Sequence, residues 1–539
     1  MSTKKIHAQP PEKLTGIEFK KIPSSAVGYK AIKSAITHIK EEVGLLKGIG
    51  LLAKLNQKKG FDCPGCAWPD PDEKRAFLAE YCENGAKAVA EEATKNRVSP
   101  LFFATHSISK LSELSDYEIG KKGRITHPVV VYEGRDYYEE ISWEDAFNMI
   151  GKELKSLPSP DEAIFYTSGR TSNEAAFLYQ LFVRKFGTNN LPDCSNMCHE
   201  SSGTALTETL GIGKGSVTLD DFNHAELVIV MGQNPGTNHP RMLSALGETK
   251  KRGGKIITIN PLPEVGLMRY NDPQNPIKWI GKGQKLTDVF LQVKINGDVA
   301  LLKIILKLLW QKEQETPGAI FDHEFIKTNT TGYEDFITDV ETYSIEKLIP
   351  QTGIDFKIIE EAATLIAQKK KIIICWAMGL TQHKNSVDNI RELVNLLLLK
   401  GSIGKQGAGT CPVRGHSNVQ GDRTMGIWEK PKEAFLDNLE KEFNFKAPRK
   451  HGYDVVDAIE AMHQKKAHVF IGMGGNFLSA SPDTEYTAKA LQNCDLTVHV
   501  STKLNRSHLI HGKKALILPC LGRSEKDVQE KGIQFVSVE

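Results

Sequence analysis

Residues 227–260 read LVIVMGQNPGTNHPRMLSALGETKKRGGKIITIN, and this stretch decides the fold. The run 227–231 is apolar without alternation, so the strand it predicts is buried on both faces. A Gly/Asn loop follows, then a helix, then a second short apolar run ending at Asn260. Two buried strands joined by a helix make a parallel βαβ unit. The same order of strand, Gly/Ser/Asn loop and helix recurs: AIFYTSG (163–169), KIIICWAMG (371–379), HVFIGMGG (468–475), LTVHVST (496–502) and ALILPC (515–520). The predicted class is α/β, with interleaved doubly wound parallel sheets. A helix is also predicted in ISWEDAFNMIGKELKSL, with Ser142 as its N-cap. Short strands are predicted around Gly123 and Gly134.

In doubly wound sheets, ligands bind beyond the carboxyl ends of the strands. Here those ends carry Gly169, Arg170, Gly232, Gln233, Asn234, Asn260, Gly474 and Asn476. Glycine lets a backbone approach a phosphate, and the next helix offers its N-terminal N–H groups. None of these loops is a G-x-G-x-x-G or a Walker P-loop. Together they predict a large, extended, phosphate-bearing ligand.

Three further stretches carry chemistry. Residues 189–203, NNLPDCSNMCHESSG, place Cys198 beside His199 between two helix-like runs. A thiolate is a soft metal ligand and a nucleophile, and imidazole accepts a proton near neutral pH. From Gly60, GFDCPGCAWPDPDEKRAFLAEYCENG holds Cys63 and Cys66 as C-x2-C, with Cys82 after 15 further residues. One pair and a single cysteine suit an iron–sulfur cluster better than structural zinc; a zinc or redox C-x2-C is the competing reading. Residues 401–426, GSIGKQGAGTCPVRGHSNVQGDRTMG, form a glycine-rich connection that is either a flexible linker or an ordered functional loop. Its Arg414 has the planar fork that holds a carboxylate or phosphate in two-pronged fashion.

Composition narrows the class. In 539 residues, 40% hydrophobic and 25% charged content suit a globular enzyme with several domains or one large interleaved body. The longest apolar runs, 301–310 and 393–399, are too short to span a bilayer. The N-terminus MSTKKIHAQPPEK has no apolar signal core and no twin arginine. Nine cysteines, an odd number, argue for reduced thiols rather than a disulfide framework. The expectation is a cytoplasmic protein without membrane insertion and without a nucleic-acid module. Residues 1–60 carry 12 lysines against 4 acids in a chain whose total charge is only +3. This segment is a solvated leader with short amphipathic helices or a docking surface for an acidic partner.

The motifs GFDCPGCAWPD, CENGAKAVA, the Cys-His pair, GQNPGTNHP and PVRGHSNVQG occur in the order and places seen in the molybdopterin oxidoreductases. From about Gly60 onward the chain resembles that family, specifically its formate dehydrogenase-like YdeP branch. The resemblance implies a molybdenum or tungsten bis(molybdopterin guanine dinucleotide) centre, with a [4Fe-4S] cluster nearby. Carried over, Cys198 matches the metal ligand, His199 the adjacent proton acceptor and Arg414 the arginine that positions substrate carboxylate. Cys63, Cys66 and Cys82 match three of four cluster ligands. The strand-end loops, together with Gly415, Asn418, Gln420 and Gly421, match pterin-dinucleotide contacts. The implied activity is oxidation of formate or a similar small molecule, with electrons passing through the cluster to an acceptor protein. The rival is a non-catalytic scaffold or regulatory relative of the same fold, without a working molybdenum site.

The domains implied are a basic extension (1–58), a cluster region (59–125), a first pterin-binding α/β domain (126–193 with 417–539) and a second (194–416). Three departures from the family pattern stand out. Asp70 occupies the place of the third cluster cysteine, which implies a carboxylate ligand, an open iron or a labile three-iron cluster; the local alternative is that Asp70 caps a helix beginning near residues 71–73. Asn84 occupies the place of a lysine between cluster and pterin, with Lys87 the nearest substitute. The family's final domain follows the region of LPCLGRSEKD, and the chain ends soon after it at Glu539, so a truncated or split member is expected.

Overall fold

The computed structural model describes residues 6–11, 21–72, 75 and 79–539. Every apolar run read above as a strand forms one, and these strands assemble into two sheets, whereas the runs 301–310 and 393–399 lie in helices. One sheet has six strands: β1 (Val129–Tyr132), β2 (Glu139–Glu140), β3 (Ala163–Thr167), and, late in the chain, Val469–Met473, Leu496–Ser501 and Lys514–Pro519. The other has five: β4 (Leu227–Met231), β5 (Lys255–Ile259), β6 (Val289–Leu291), β7 (Ile372–Trp376) and β8 (Gly409–Pro412). With the late strands named β9, β10 and β11 in chain order, the six-stranded order is β2-β1-β11-β10-β9-β3 and the five-stranded order is β6-β5-β4-β7-β8. The second sheet is parallel throughout. The first is parallel from β3 to β11, with β1 and β2 added antiparallel at its edge.

The helices that matter below are α1 (Gly28–Glu42), α2 (Leu45–Leu52), α3 (Glu83–Glu92), α4 (Trp143–Ser156), α5 (Asn173–Phe186), α6 (Glu200–Leu210), α7 (Pro240–Lys251), α8 (Asp298–Glu315), α9 (Ser386–Leu399) and α10 (Val419–Thr424). Each sheet is covered on both faces, which is why its strands read as unbroken apolar runs. Helices α4 and α5 cover one face of the first sheet through Ala146, Leu154, Ala176 and Val183. Helices 455–463 and 484–492 cover the other. On the second sheet, α6, α8 and α9 lie on one face and α7 on the opposite face. A fully buried Val, Leu or Ile contributes about 1.5–3 kcal/mol each, so these layers dominate the stability.

Two expectations needed revision. The 401–426 connection is not one loop: it contains the edge strand β8 and helix α10. The sequence GTCP has little strand character, but an edge strand tolerates Pro412, whose missing N–H is not needed by a neighbour. In the region around Gly123, a helix covers Asp116–Gly120 before the short strands begin. Its capping box joins Ser115 to Glu118, a spacing visible in the sequence.

Candidate active site

Strand β4 lies at the centre of its sheet: the chain steps outward to β5 and β6 on one side, then returns to β7 and β8 on the other. The loops after β4 and β7 therefore diverge at the topological switch point, where such sheets bind ligands. They cross almost in contact. A Cβ on Gly232 would lie 2.7 Å from Leu380 N, and one on Gly379 would lie 2.6 Å from Gly232 O. Gly232 also needs φ +57°, so its glycine is required by backbone crossing as well as by conformation.

The Cys198 segment joins the two sheets. Residues 190–193 run along β3, with Phe165 N donating to Asn190 O and Thr167 N to Pro192 O. One 3-10 turn, Cys194–Met197, then ends at Cys198, and His199 is the N-cap residue of α6. Asp193 and Asn196 close a capping box around the turn. Arg423 from α10 grips Asp193 with two hydrogen bonds of 3.1 and 2.7 Å and reaches Glu200 at 2.8 Å. Thr381 Oγ1 donates to Cys198 O at 2.6 Å. The cysteine is thus held from both sheets.

Cys198 is buried, and burial pushes its thiol pKa up; the Gly415 N–H and the Arg414 guanidinium oppose that shift. Such a thiol becomes a thiolate most readily when a cation binds it. A Cβ on Gly415 would stand 3.9 Å from Cys198 Sγ with nothing else near, so glycine keeps the space beside the sulfur open. Arg414 is also buried. Its Nη2 donates to Gly213 O at 2.7 Å, while its buried Nε has no partner.

Both ring nitrogens of His199 are engaged. Nε2 lies 3.1 Å from Val413 O, so Nε2 carries the hydrogen. Nδ1 then accepts from Ser202 Oγ at 3.0 Å, and Ser202 in turn accepts from Trp376 Nε1 at 2.9 Å. Burial, reinforced by Arg414, lowers the His199 pKa to about 3, so the ring is neutral.

The remaining loop residues divide into two groups. Gly169, Asn418 and Gly421 serve the chain itself. A Cβ on Gly169 would meet Cys194 Sγ at 2.5 Å, and one on Gly421 would meet Asn173 Oδ1 at 2.2 Å. Asn418 Nδ2 donates to Thr171 O at 2.6 Å and Asn173 Oδ1 at 2.9 Å. Asn260 Nδ2 donates to Leu262 O at 2.9 Å, Asn476 Oδ1 accepts from Ser507 at 3.0 Å, and Gly474 lies against Ser168. Asn234 is the N-cap residue of a short helix, and Gln420 O accepts from Thr424 Oγ1. The second group has buried polar atoms without partners: Gln233 Oε1, His239 Nδ1, His416 Nδ1, Ser417 Oγ and both carboxylate oxygens of Asp422. Sequence reasoning passed over His239, His416, Ser417 and Asp422. His239 is the penultimate residue of the GQNPGTNHP motif, and its Nε2 donates to Arg414 O at 2.9 Å. Buried polar groups without partners are costly in a finished core. Their concentration around 414–422 and 233–239 fits a polar ligand lying across these loops.

Cys63 and Cys82 flank Gly85, and Cys66 lies near enough to both for its charge to raise their pKa. A Cβ on Gly85 would lie 3.0 Å from Cys63 Sγ and 3.8 Å from Cys82 Sγ. Burial raises the pKa of all three, that of Cys63 to about 12. Cys82 is the N-cap residue of α3, its sulfur accepting from Gly85 N. Among the described residues no three His, Cys, Asp or Glu side chains converge as the shell of a single metal ion; a cluster of several irons spreads its thiolates further apart. Asp70 pairs with Arg241 at 2.6 Å and Arg75 at 3.4 Å. The helix that Asp70 was read as capping falls partly outside the described residues. Lys87 pairs with Glu83 at 2.6 Å, and Asn84 donates to Thr237 O at 2.6 Å, which ties α3 to the GQNPGTNHP loop. Exposed Arg170 contributes its carbonyl, which with that of Cys63 accepts from Arg523. One cavity, of about 1020 Å³, lies beside Cys82 and α1; Cys198, His199 and Arg414 do not line it.

Comparison with known proteins agrees with this geometry. The family model described as molybdopterin oxidoreductase matches residues 124–510. An uncharacterized oxidoreductase of Mycobacterium tuberculosis is 54% identical over 514 residues, 95% of this chain and 66% of that protein. Protein YdeP of Escherichia coli is 46% identical over 531 residues, 96% of this chain and 69% of its own length. The alpha subunit of an F420-dependent formate dehydrogenase of Methanococcus maripaludis is 29% identical over 395 residues, covering 72% and 54%. The chain therefore spans about two thirds of the length of its nearer relatives named here. Among solved structures, acetylene hydratase from Pelobacter acetylenicus shares the fold, with a TM-score of 0.56 at 18% identity over 73% of this chain and 55% of the other. Two parallel α/β sheets joined through a buried Cys-His turn, and a family match over most of the chain, lead to one conclusion: this chain belongs to the molybdopterin oxidoreductase family, whose domain implies a molybdenum or tungsten pterin cofactor.

Proposed function

We propose that the chain oxidises formate or a similar small carboxylate at a molybdenum or tungsten centre ligated by Cys198. The observation that carries this reading is the pairing of Cys198, with open space at Gly415, and Arg414, whose Nε is buried and unpaired. A soft thiolate suits such a metal, and a guanidinium with a free N–H suits a carboxylate. The cofactor is a bis(molybdopterin guanine dinucleotide), which supplies two-electron redox chemistry when bound. The unpaired atoms of Gln233, His239, His416, Ser417 and Asp422 support its polar contacts along the two loops. The strand-end loops at Gly232–Asn234, Asn260 and Gly474–Asn476 shape that cradle.

The protein's share is orientation and proton handling. Arg414 binds the carboxylate and orients it towards Cys198. Val413, Ser202 and Trp376 hold the His199 ring beside it. His199 relays the substrate proton through Nδ1, the nitrogen without hydrogen, once the Ser202 hydroxyl turns away, and its pKa of about 3 means that it passes the proton on rather than keeping it. Cys63, Cys66 and Cys82 would hold a [4Fe-4S] cluster, and Asp70 would have to leave Arg241 and Arg75 to serve as its fourth ligand. The reading places the enzyme in the cytoplasm, working with an acceptor protein.

Cys198→Ser tests this reading. A hydroxyl is a harder, less acidic ligand than a thiol. We expect folded protein with pterin retained and formate-linked turnover at the level of the blank. Full turnover in the serine variant with metal bound would remove Cys198 from the centre.

A further inference from the structure

Residues 43–60, VGLLKGIGLLAKLNQKKG, hold four lysines and no Asp or Glu. Their first half is α2. It packs on α1 through Gly48, where a Cβ would stand 2.0 Å from Ile39 Cγ2. With Gly48 and Leu52 facing inward, the opposite side of α2 faces solvent. Leu46 is 90% exposed and Ile49 55%. Leu46, Ile49, Gly50 and Ala53 follow helical spacing and form one exposed stripe. Lys47 and Lys54 flank it, and Lys58 and Lys59 extend the basic rim along the following turn. All four lysines are exposed, and none is in an ion pair among the described residues.

The inner side of the same segment rests against Cys63 and the start of α3. Leu52 and Leu55 pack with Ala86 and Val89 of α3, and Phe61 and Cys63 complete that cluster. Cys63 N donates to Asn56 Oδ1 at 2.7 Å, so the turn leaving α2 is bonded directly to the first cysteine. A Cβ on Gly85 would touch Cys63 Sγ at 3.0 Å and Leu55 Cδ2 at 3.9 Å. An exposed apolar stripe with an unpaired basic rim therefore lies over the cysteines.

We propose that α2 and the Lys54–Lys59 turn form the docking surface for an acidic, one-electron carrier protein. This rests on the reading above that electrons leave through Cys63, Cys66 and Cys82. Each carrier accepts one electron per visit, so two visits balance one two-electron substrate oxidation. The lysines steer an acidic partner and set the salt dependence of encounter; Leu46 and Ile49 supply the desolvated contact. A basic amphipathic helix can also lie on an anionic membrane. The position over the cysteines favours the carrier, and the eight residues of α2 offer only one short stripe for lipid.

The test uses the full holoprotein and a plant-type [2Fe–2S] ferredoxin as the acidic probe. Binding is measured for wild type, for Lys47→Glu/Lys54→Glu/Lys58→Glu and for Leu46→Asp, with viologen-dye turnover alongside. We expect wild-type binding to weaken about tenfold between low and ~0.3 M salt. The charge-reversed variant should bind about tenfold or more weakly, and Leu46→Asp should also weaken, with dye turnover unchanged in both. Equal affinities in all three proteins overturn the proposal, as does no ferredoxin binding by wild type. Flotation of wild type, but not the variants, with phosphatidylglycerol vesicles also overturns it and makes α2 a membrane contact. Absence of dye turnover in wild type counts against the oxidoreductase reading alone, because the binding comparison still decides the docking surface.

Discussion

Arg184 and Arg414 are both buried, and neither forms an ion pair among the described residues, yet their surroundings differ. Arg184, on α5, donates to Asn189 Oδ1 at 3.1 Å, Gly426 O at 2.8 Å and Trp428 O at 2.9 Å, with Gln180 Oε1 as a fourth acceptor. Its guanidinium also lies over the Phe435 ring. Arg414 has one such bond and an unpaired Nε. The first arginine ties the start of the Cys198 segment to the end of the 401–426 connection. The second is held in place without being used up. A buried charge whose donors are spent on neutral acceptors is architecture; one with a free donor, as Arg414 has, keeps a hydrogen bond in reserve.

The comparison breaks most readily at Arg184. Arg184→Met leaves four acceptors without their donor, Gln180 Oε1, Asn189 Oδ1, Gly426 O and Trp428 O, at a total cost of about 3–5 kcal/mol. Denaturant unfolding should show that loss, while turnover per folded molecule stays within about twofold. A variant as stable as wild type would mean that the arginine is not the tie it resembles.

Arg414→Lys should behave in the opposite way. Charge is kept, but the planar fork is lost. We expect a stability change under ~1 kcal/mol and about a 100-fold loss of kcat/KM with a carboxylate substrate, equivalent to ~2.7 kcal/mol. Unchanged kinetics would detach Arg414 from the substrate and leave the unpaired Nε to the cofactor.

The smallest effect comes from a fully satisfied charge remote in sequence from both arginines. Glu313 on α8 is buried and accepts from Ile320 N and Phe321 N at 2.9 Å, from His323 Nε2 at 2.7 Å and from Gly318 N. Burial alone would raise its pKa; these donors together outweigh burial and hold it below the usual 4.5. A depressed carboxylate stabilises the fold above its unfolded pKa, and that stability is lost as pH falls through the folded value. Glu313→Gln should therefore cost about 1–3 kcal/mol near neutral pH. Thermal unfolding across pH should show the gap to wild type closing below 4.5. A pH-independent gap would mean that packing, not charge, holds this turn.

Much of this was legible in the sequence. The buried strands announced themselves as apolar runs, because a strand covered on both faces must be apolar throughout. Cys63, Cys66 and Cys82 were legible as a group from their spacing, and the fold makes Cys82 the N-cap residue of α3. The edge strand Gly409–Pro412 was not legible, since its pairing with β7 comes from a neighbour rather than from its own residues. Nor was the close approach of Cys194 to Gly169, which by itself requires glycine there.

The sequence by itself determined the α/β class, the strand order of polarity along the chain and the residues able to ligate metal, because these follow from local period and residue chemistry. Only the tertiary structure decided which buried polar atoms are spent and which remain free. Arg414 meets Gly213, and His199 meets Val413, across some 200 residues of chain. A hydrogen bond needs a partner within about 3 Å, and that partner is supplied by the fold, not by neighbours in sequence.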